Sequence, residues 1–285
     1  MEQNNTFVIP DKPYFTLPLS ALPALNDSRD PAKLARELID LAVYRMAESF
    51  KDQYTSCEIS EIECAQSGET LDDWRAEHEI PVFAPAYSAL ACWFFQVPYS
   101  SGLEDRARQT RDLIWHYSQT DKTEIIFSVR DRDLWELSEG SMPLQDFLVL
   151  GAIRSILGIH SKSKPPRRIT RDQIAARIAG YGRLSDINAN TRKALTAEAK
   201  LKRIGRIADK LADQERFTRW TAFKRETYYH VSLPEARIAD YVTERKSRAA
   251  TKRIDRLKVE LETQTKLQKL KDEEQSLRDQ LSQKG

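Results

Sequence analysis

Carboxylate pairs, cysteine–histidine sets and tyrosine hydroxyls are the groups in this chain that could do chemistry, and their spacing decides how each is read. Asp131-Arg132-Asp133 places two carboxylates after a strand-like run, an arrangement that could hold Mg²⁺ for phosphodiester cleavage. The same residues also make an ordinary charged turn, which is the reading adopted. Tyr228-Tyr229 could supply a tyrosine nucleophile, but the pair falls in a run of strand composition, where tyrosines alternate between core and surface. Cys57, Cys64 and Cys92 are odd in number and lack C-x-x-C spacing. His78, His116, His160 and His230 lie far from one another, so neither a zinc set nor a disulfide framework follows. The spacings G-x-x-x-x-G-K-[ST], G-x-G-x-x-G, H-E-x-x-H and G-x-S-x-G do not occur. The expectation is a protein that is not an enzyme, with no cofactor and no metal.

Charge is more informative than these motifs. The whole chain of 285 residues is only +2. Residues 1–159 carry 14 Lys/Arg against 26 Asp/Glu, a net of −12. Residues 160–225 carry 18 basic and 6 acidic residues, a net of +12, and residues 226–285 carry 13 and 11. So sharp a swing predicts an acidic module beside one suited to a polyanion.

The elements that would position these charges follow from periodicity. Residues 1–30 read as a loop or strand-like arm, without the basic and apolar regions of a secretory signal. Asp30-Pro31 is a helix start, continued to about Phe50 by Leu34, Leu38, Leu41, Ala42 and Met46. Residues 51–70 read as an acidic loop, and Leu71–His78 as a short helix. Ile80–Ser101 carries no charge, but Pro81, Pro85 and Pro98 leave a helix too short to span a membrane. Its Tyr87, Leu90, Trp93 and Phe94 are core candidates. Leu103–Tyr117 reads as an amphipathic helix and Glu124–Val129 as a strand.

Leu144–Leu157 is apolar enough for a buried helix, and H-S-K-S-K-P-P-R-R follows as a basic loop. Thr170 and Gln173 form a capping box that starts a helix over Ile169–Tyr181, with Gly180 and Gly182 as stop signals. After a polar connection from about Gly182 to Ala194, a third helix is expected over Ala194–Gln214, with Leu201, Ile204, Ala208 and Leu211 as its buried stripe. Lys202 and Arg206 point away from that stripe, and Arg203 and Lys210 flank it. Phe217–Phe223 and Thr227–Leu233 have strand composition, joined by a basic tip at Lys224-Arg225-Glu226. Glu235–Lys284 has no proline or glycine. There Ile254, Leu257 and Leu261, then Leu267, Leu270, Leu277 and Leu281, form two short heptad runs out of phase, with Gln264 in a seam position. A coiled-coil homodimer through residues 250–285 and a single solvated helix both fit that pattern.

Helix, helix, cationic helix and basic-tipped hairpin are the order of a winged helix. Residues 143–233 resemble the winged helix-turn-helix superfamily, and in particular bacterial and plasmid-type members in which T-x-x-x-I-A opens the second helix, here Thr170, Ile174 and Ala175. The connection before the third helix is longer than the usual turn. The resemblance implies that Thr196, Lys202, Arg203 and Arg206, with Lys210 at the flank, face the major groove of double-stranded DNA. It places Lys224 and Arg225 on the neighbouring backbone or minor groove, and Arg167, Arg168 and Arg171 on phosphate near the second helix's start. The expected fold is mainly α: a helical N-terminal module at 1–139 of unknown role, a winged-helix domain at 140–234 and a long charged helix at 235–285. The expected function is non-enzymatic DNA binding in the cytoplasm, associated with the nucleoid, as a transcriptional regulator or a plasmid- or phage-type replication or partition protein. The N-terminal module would meet a protein partner or sense a ligand. The alternative is a protein-interaction scaffold that uses the winged helix and the coiled coil, and RNA remains open beside DNA.

Overall fold

Strand β1 (Tyr14–Pro18) alternates inward Phe15 and Leu17 with partly covered neighbours, the period-two pattern of a half-buried strand. The computed structural model describes residues 14–53, 86–95, 97–119, 125–158, 164–222 and 226–282. The arm expected at residues 1–30 thus contains β1 and a short helix, α1 (Ala21–Asp27). Strand β2 (Ile126–Arg130) pairs antiparallel with β1, Phe15 opposite Val129 and Leu17 opposite Phe127. The two partners lie about a hundred residues apart in sequence, so they do not form a hairpin.

Asp30 caps α2 (Pro31–Gln53) by accepting from the backbone N–H of Lys33 at 2.9 Å. Helix α2 packs against α3 (Ala86–Phe95), α4 (Leu103–Trp115) and α5 (Asp131–Ser138). Leu90 and Phe94 are buried and Tyr87 half-buried, as their apolar run predicts. The expected helix at Leu71–His78, the loop from residue 54 onward and the Trp93 side chain lie outside the described residues. No described helix is long and apolar enough to cross a membrane.

Helix α6 (Leu144–Leu157) is buried along nearly its whole circumference. Its two sides meet different partners: α1 and β2 from the N-terminal region, and α7 (Arg171–Ile178) and α9 (Glu198–Asp213) from the basic region. One hydrophobic core accordingly runs from Phe15 to Tyr229, across the boundary expected near residue 140. The chain divides instead into residues 1–232 and 233–285.

The third expected helix is two helices. Asn188 accepts from the Thr191 N–H at 2.9 Å and starts α8 (Ala189–Leu195) inside the supposed polar connection, behind a 3₁₀ turn at Leu184–Asp186. The Thr196 hydroxyl donates back to the Arg192 carbonyl, Ala197 turns extended, and α9 begins at Glu198. Strands β4 (Thr218–Thr221) and β5 (Thr227–His230) form the expected hairpin. A third strand, β3 (Arg167–Arg168), pairs with β5 within the run read as a basic loop, giving the order β3-β5-β4. The second unit is one helix, α10 (Glu235–Ser282), whose residues from Thr243 to Lys271 are all exposed.

Candidate nucleic-acid interface

The capping box forms as the spacing predicts. The Gln173 N–H donates to the Thr170 hydroxyl at 3.2 Å, and Gln173 Oε1 accepts from the Thr170 N–H at 2.8 Å. This fixes where α7 begins and sets Arg171 in its first turn. Gly180, with φ of +84°, ends the helix in a left-handed conformation that a side chain would strain. Helix α9 then lies against α7 and α6 through Ile204, Ala208 and Leu211, three of the four stripe residues; the fourth, Leu201, is half-buried. Gly205 permits a close approach: a Cβ there would come within 2.8 Å of the Arg171 guanidinium. Arg171 thus lies along α9 rather than extending freely.

The ten expected contact residues separate into groups. Lys202 and Arg206 are exposed on the outer side of α9, and Lys202 makes a 2.7 Å pair with Glu198 one turn earlier. Both members are well exposed, so this pair is weak and exchangeable. Arg203 is exposed and borders a cavity of about 380 Å³ together with Ile204, Ile207, Pro23 and Tyr117, on the side of α9 next to the N-terminal region. Thr196 sits half-buried in the corner before α9, its hydroxyl committed to Arg192. Lys210 reaches Asp146 on α6 at 2.6 Å, a structural contact with a carboxylate only 9% exposed. Arg168 pairs with Glu226 at 3.2 Å across the sheet. Arg167 is exposed and donates to the Ile156 carbonyl at 2.6 Å. Lys224 and Arg225 lie outside the described residues; on either side of them, the Ala222 N–H donates to the Glu226 carbonyl.

The base of the hairpin is held by charges that sequence reasoning did not pair. Asp133, taken above as part of a charged turn, is completely buried and accepts from Arg154 at 2.6 Å and from Arg216. Arg216 also donates to Glu136 at 2.7 Å. Burial pulls the Arg154 guanidinium below its ordinary pKa, against the opposing pull of Asp133. Arg219 pairs with Asp209 on α9. Tyr228 and Tyr229 are both buried, Tyr229 against Phe217 and Tyr228 near Trp220. Desolvation raises the Tyr229 phenol pKa, the opposite of an activated nucleophile. His230 is buried, accepts at Nδ1 from the Ser232 N–H, and meets the Lys164 carbonyl at Nε2, which fixes its tautomer.

On α7, α8 and α9, Arg171, Arg192, Lys193, Lys200, Arg203 and Arg206 are exposed cations without an ion-pair partner among the described residues, a state shared by Arg29, Arg36, Arg167, Arg183 and several cations of α10. Arg192 and Lys193 were missed because their segment read as a connection. Comparison with protein-family models, curated proteins and solved structures finds no match to this chain.

Proposed function

We propose that residues 144–230 are a winged-helix module that binds double-stranded DNA, with α9 as the groove-facing helix and the β4–β5 hairpin as the wing. The order of elements supports this reading: helix, short strand, helix, helix and a two-stranded hairpin, with β3 paired to β5. The inserted α8 lengthens the turn ahead of α9 and brings Arg192 and Lys193 with it. The observation that carries the reading is the sorting of cations. Lys210, Arg216 and Arg219 are matched to carboxylates within the fold, whereas Arg171, Arg192, Lys193 and Arg206 are left for an external polyanion and Lys202 holds only the weak, exposed pair with Glu198. Their role is phosphate neutralisation by Arg171, Arg192 and Lys193, with base-edge reading by Lys202 and Arg206.

On this reading the protein acts without catalysis, as a regulator or as a replication or partition factor. Its tail provides self-association through exposed Ile254, Leu257, Leu261, Leu267 and Leu270. Charge reversal at Lys202, Arg206 and Lys224 tests the assignment. The triple variant should fold like wild type and lose duplex affinity at least a hundredfold, about 1 kcal/mol or more for each contact. Retained affinity in a folded triple variant would move the contact surface elsewhere.

A further inference from the structure

Arg177 sits in the last turn of α7, and its Nη1 atom is buried with no hydrogen-bond partner among the described residues. Buried polar groups are nearly always satisfied, so an orphaned guanidinium nitrogen calls for an explanation. The other buried arginines have one: Arg154 and Arg216 close on Asp133, and Arg219, which also has an unpartnered nitrogen, is met by Asp209. Arg177 has no ion pair among the described residues. Burial pulls its pKa down, the neighbouring Arg167 charge pulls it further, and Asp186 offsets this in part.

Arg177 lines a cavity of about 240 Å³ between the end of α6 and the turn that follows α7. Ile156 and Tyr181 form part of its wall, and Arg183 adds a second, exposed cation. Gln173 also lines it. Its Oε1 is occupied by the capping box, which leaves its amide NH₂ to donate. Two guanidinium groups and an amide thus border one small space, with the Arg167 charge nearby.

We propose that this cavity is a binding site for a phosphate-class oxyanion. Such an anion supplies the acceptor that Arg177 Nη1 lacks and relieves the repulsion between Arg167 and Arg177. The volume admits a phosphate together with part of the group that carries it. That chemistry has two sources, a phosphomonoester free in solution and a phosphate of the nucleic-acid backbone.

Thermal unfolding of the full chain in inorganic phosphate, against sodium chloride of matched ionic strength, is the first test. It contains no DNA, so its outcome is separate from that of the duplex-binding proposal. Wild type should show a saturable rise in Tm, roughly 3–6 °C at ten times the half-saturating concentration. Arg177→Met should abolish the rise while remaining at least as stable as wild type in chloride, since it removes a desolvated and unpaired charge. Arg183→Gln, an exposed change that leaves the fold intact, should weaken the half-saturating concentration severalfold. Equal responses to phosphate and chloride in wild type, or an undiminished response in both variants, would overturn the site. A duplex titration at matched ionic strength then identifies the source. Competition by phosphate in wild type, absent in Arg177→Met, assigns the site to the DNA backbone; lack of competition assigns it to a free phosphorylated ligand.

Discussion

Arg154 Nη1 donates to Asp133 Oδ2 at 2.6 Å, and neither side chain is more than 6% exposed. Asp133 stands on α5, Arg154 on α6, and Arg216, which completes the triad, leads into β4. The base of the hairpin is therefore fixed by a carboxylate from the acidic region of the chain.

Asp133→Asn should destabilise the protein by about 3–5 kcal/mol, because it leaves Arg154 buried without a counter-charge, while Arg216 keeps Glu136. Urea denaturation measures this directly. A loss below about 1 kcal/mol would show that water reaches the triad.

The same triad, with the shared core on α6, predicts that residues 140–285 do not fold alone. That fragment lacks Phe15, Leu17 and Phe127 as well as Asp133, all completely buried. Near-ultraviolet circular dichroism and urea titration should show no fixed aromatic packing and no cooperative transition. A cooperative transition in the fragment would contradict a single core.

Lys210 and Arg206 should separate cleanly although both lie on α9. Lys210→Met leaves Asp146 mostly buried and unpaired, and should cost about 1 kcal/mol of stability, with the exposed half of the pair discounted. It should leave the salt dependence of DNA binding unchanged. Arg206→Ala should leave the urea midpoint unchanged and weaken duplex binding by about 1–3 kcal/mol, the value for one base contact.

Cys92 is buried on α3, and desolvation, reinforced by Asp40, pushes its thiol from 9.0 up to about 12. A thiol whose folded-state pKa is raised stabilises the fold fully below the unfolded value and loses that contribution as pH rises. Stability should thus fall between pH 9 and about 12, and urea midpoints in Cys92→Ala should fall less steeply over that window. In native protein at pH 8 the Cys92 peptide should remain unalkylated by iodoacetamide.

Local signals were legible in the sequence where they depend on neighbours in the chain. The capping box at Thr170 and Gln173, the apolar run of α6 and the hairpin of β4 and β5 formed close to their expected limits. Strand β3 is two residues long and exists because Arg167 and Arg168 face Tyr229 and Tyr228, a relationship with no local trace. The break at Thr196 was hidden because Ala194–Gln214 has good helix formers on both sides of it, and only the Thr196 hydroxyl bond marks the corner. Counting charges located the basic region but could not tell Lys210, tied to Asp146, from Arg206, which has no such tie. That distinction needs partners 64 residues apart to be seen together.

The salt dependence of duplex binding tests the central claim most directly. Fluorescence anisotropy with full-length protein and a random-sequence duplex, at roughly 50 and 200 mM salt, should give micromolar or tighter binding at the lower concentration. With about five phosphates neutralised, affinity should fall several hundredfold at the higher one. Absence of binding at low salt by folded, full-length protein would contradict the account, and the exposed cations of α7–α9 would then serve a different partner.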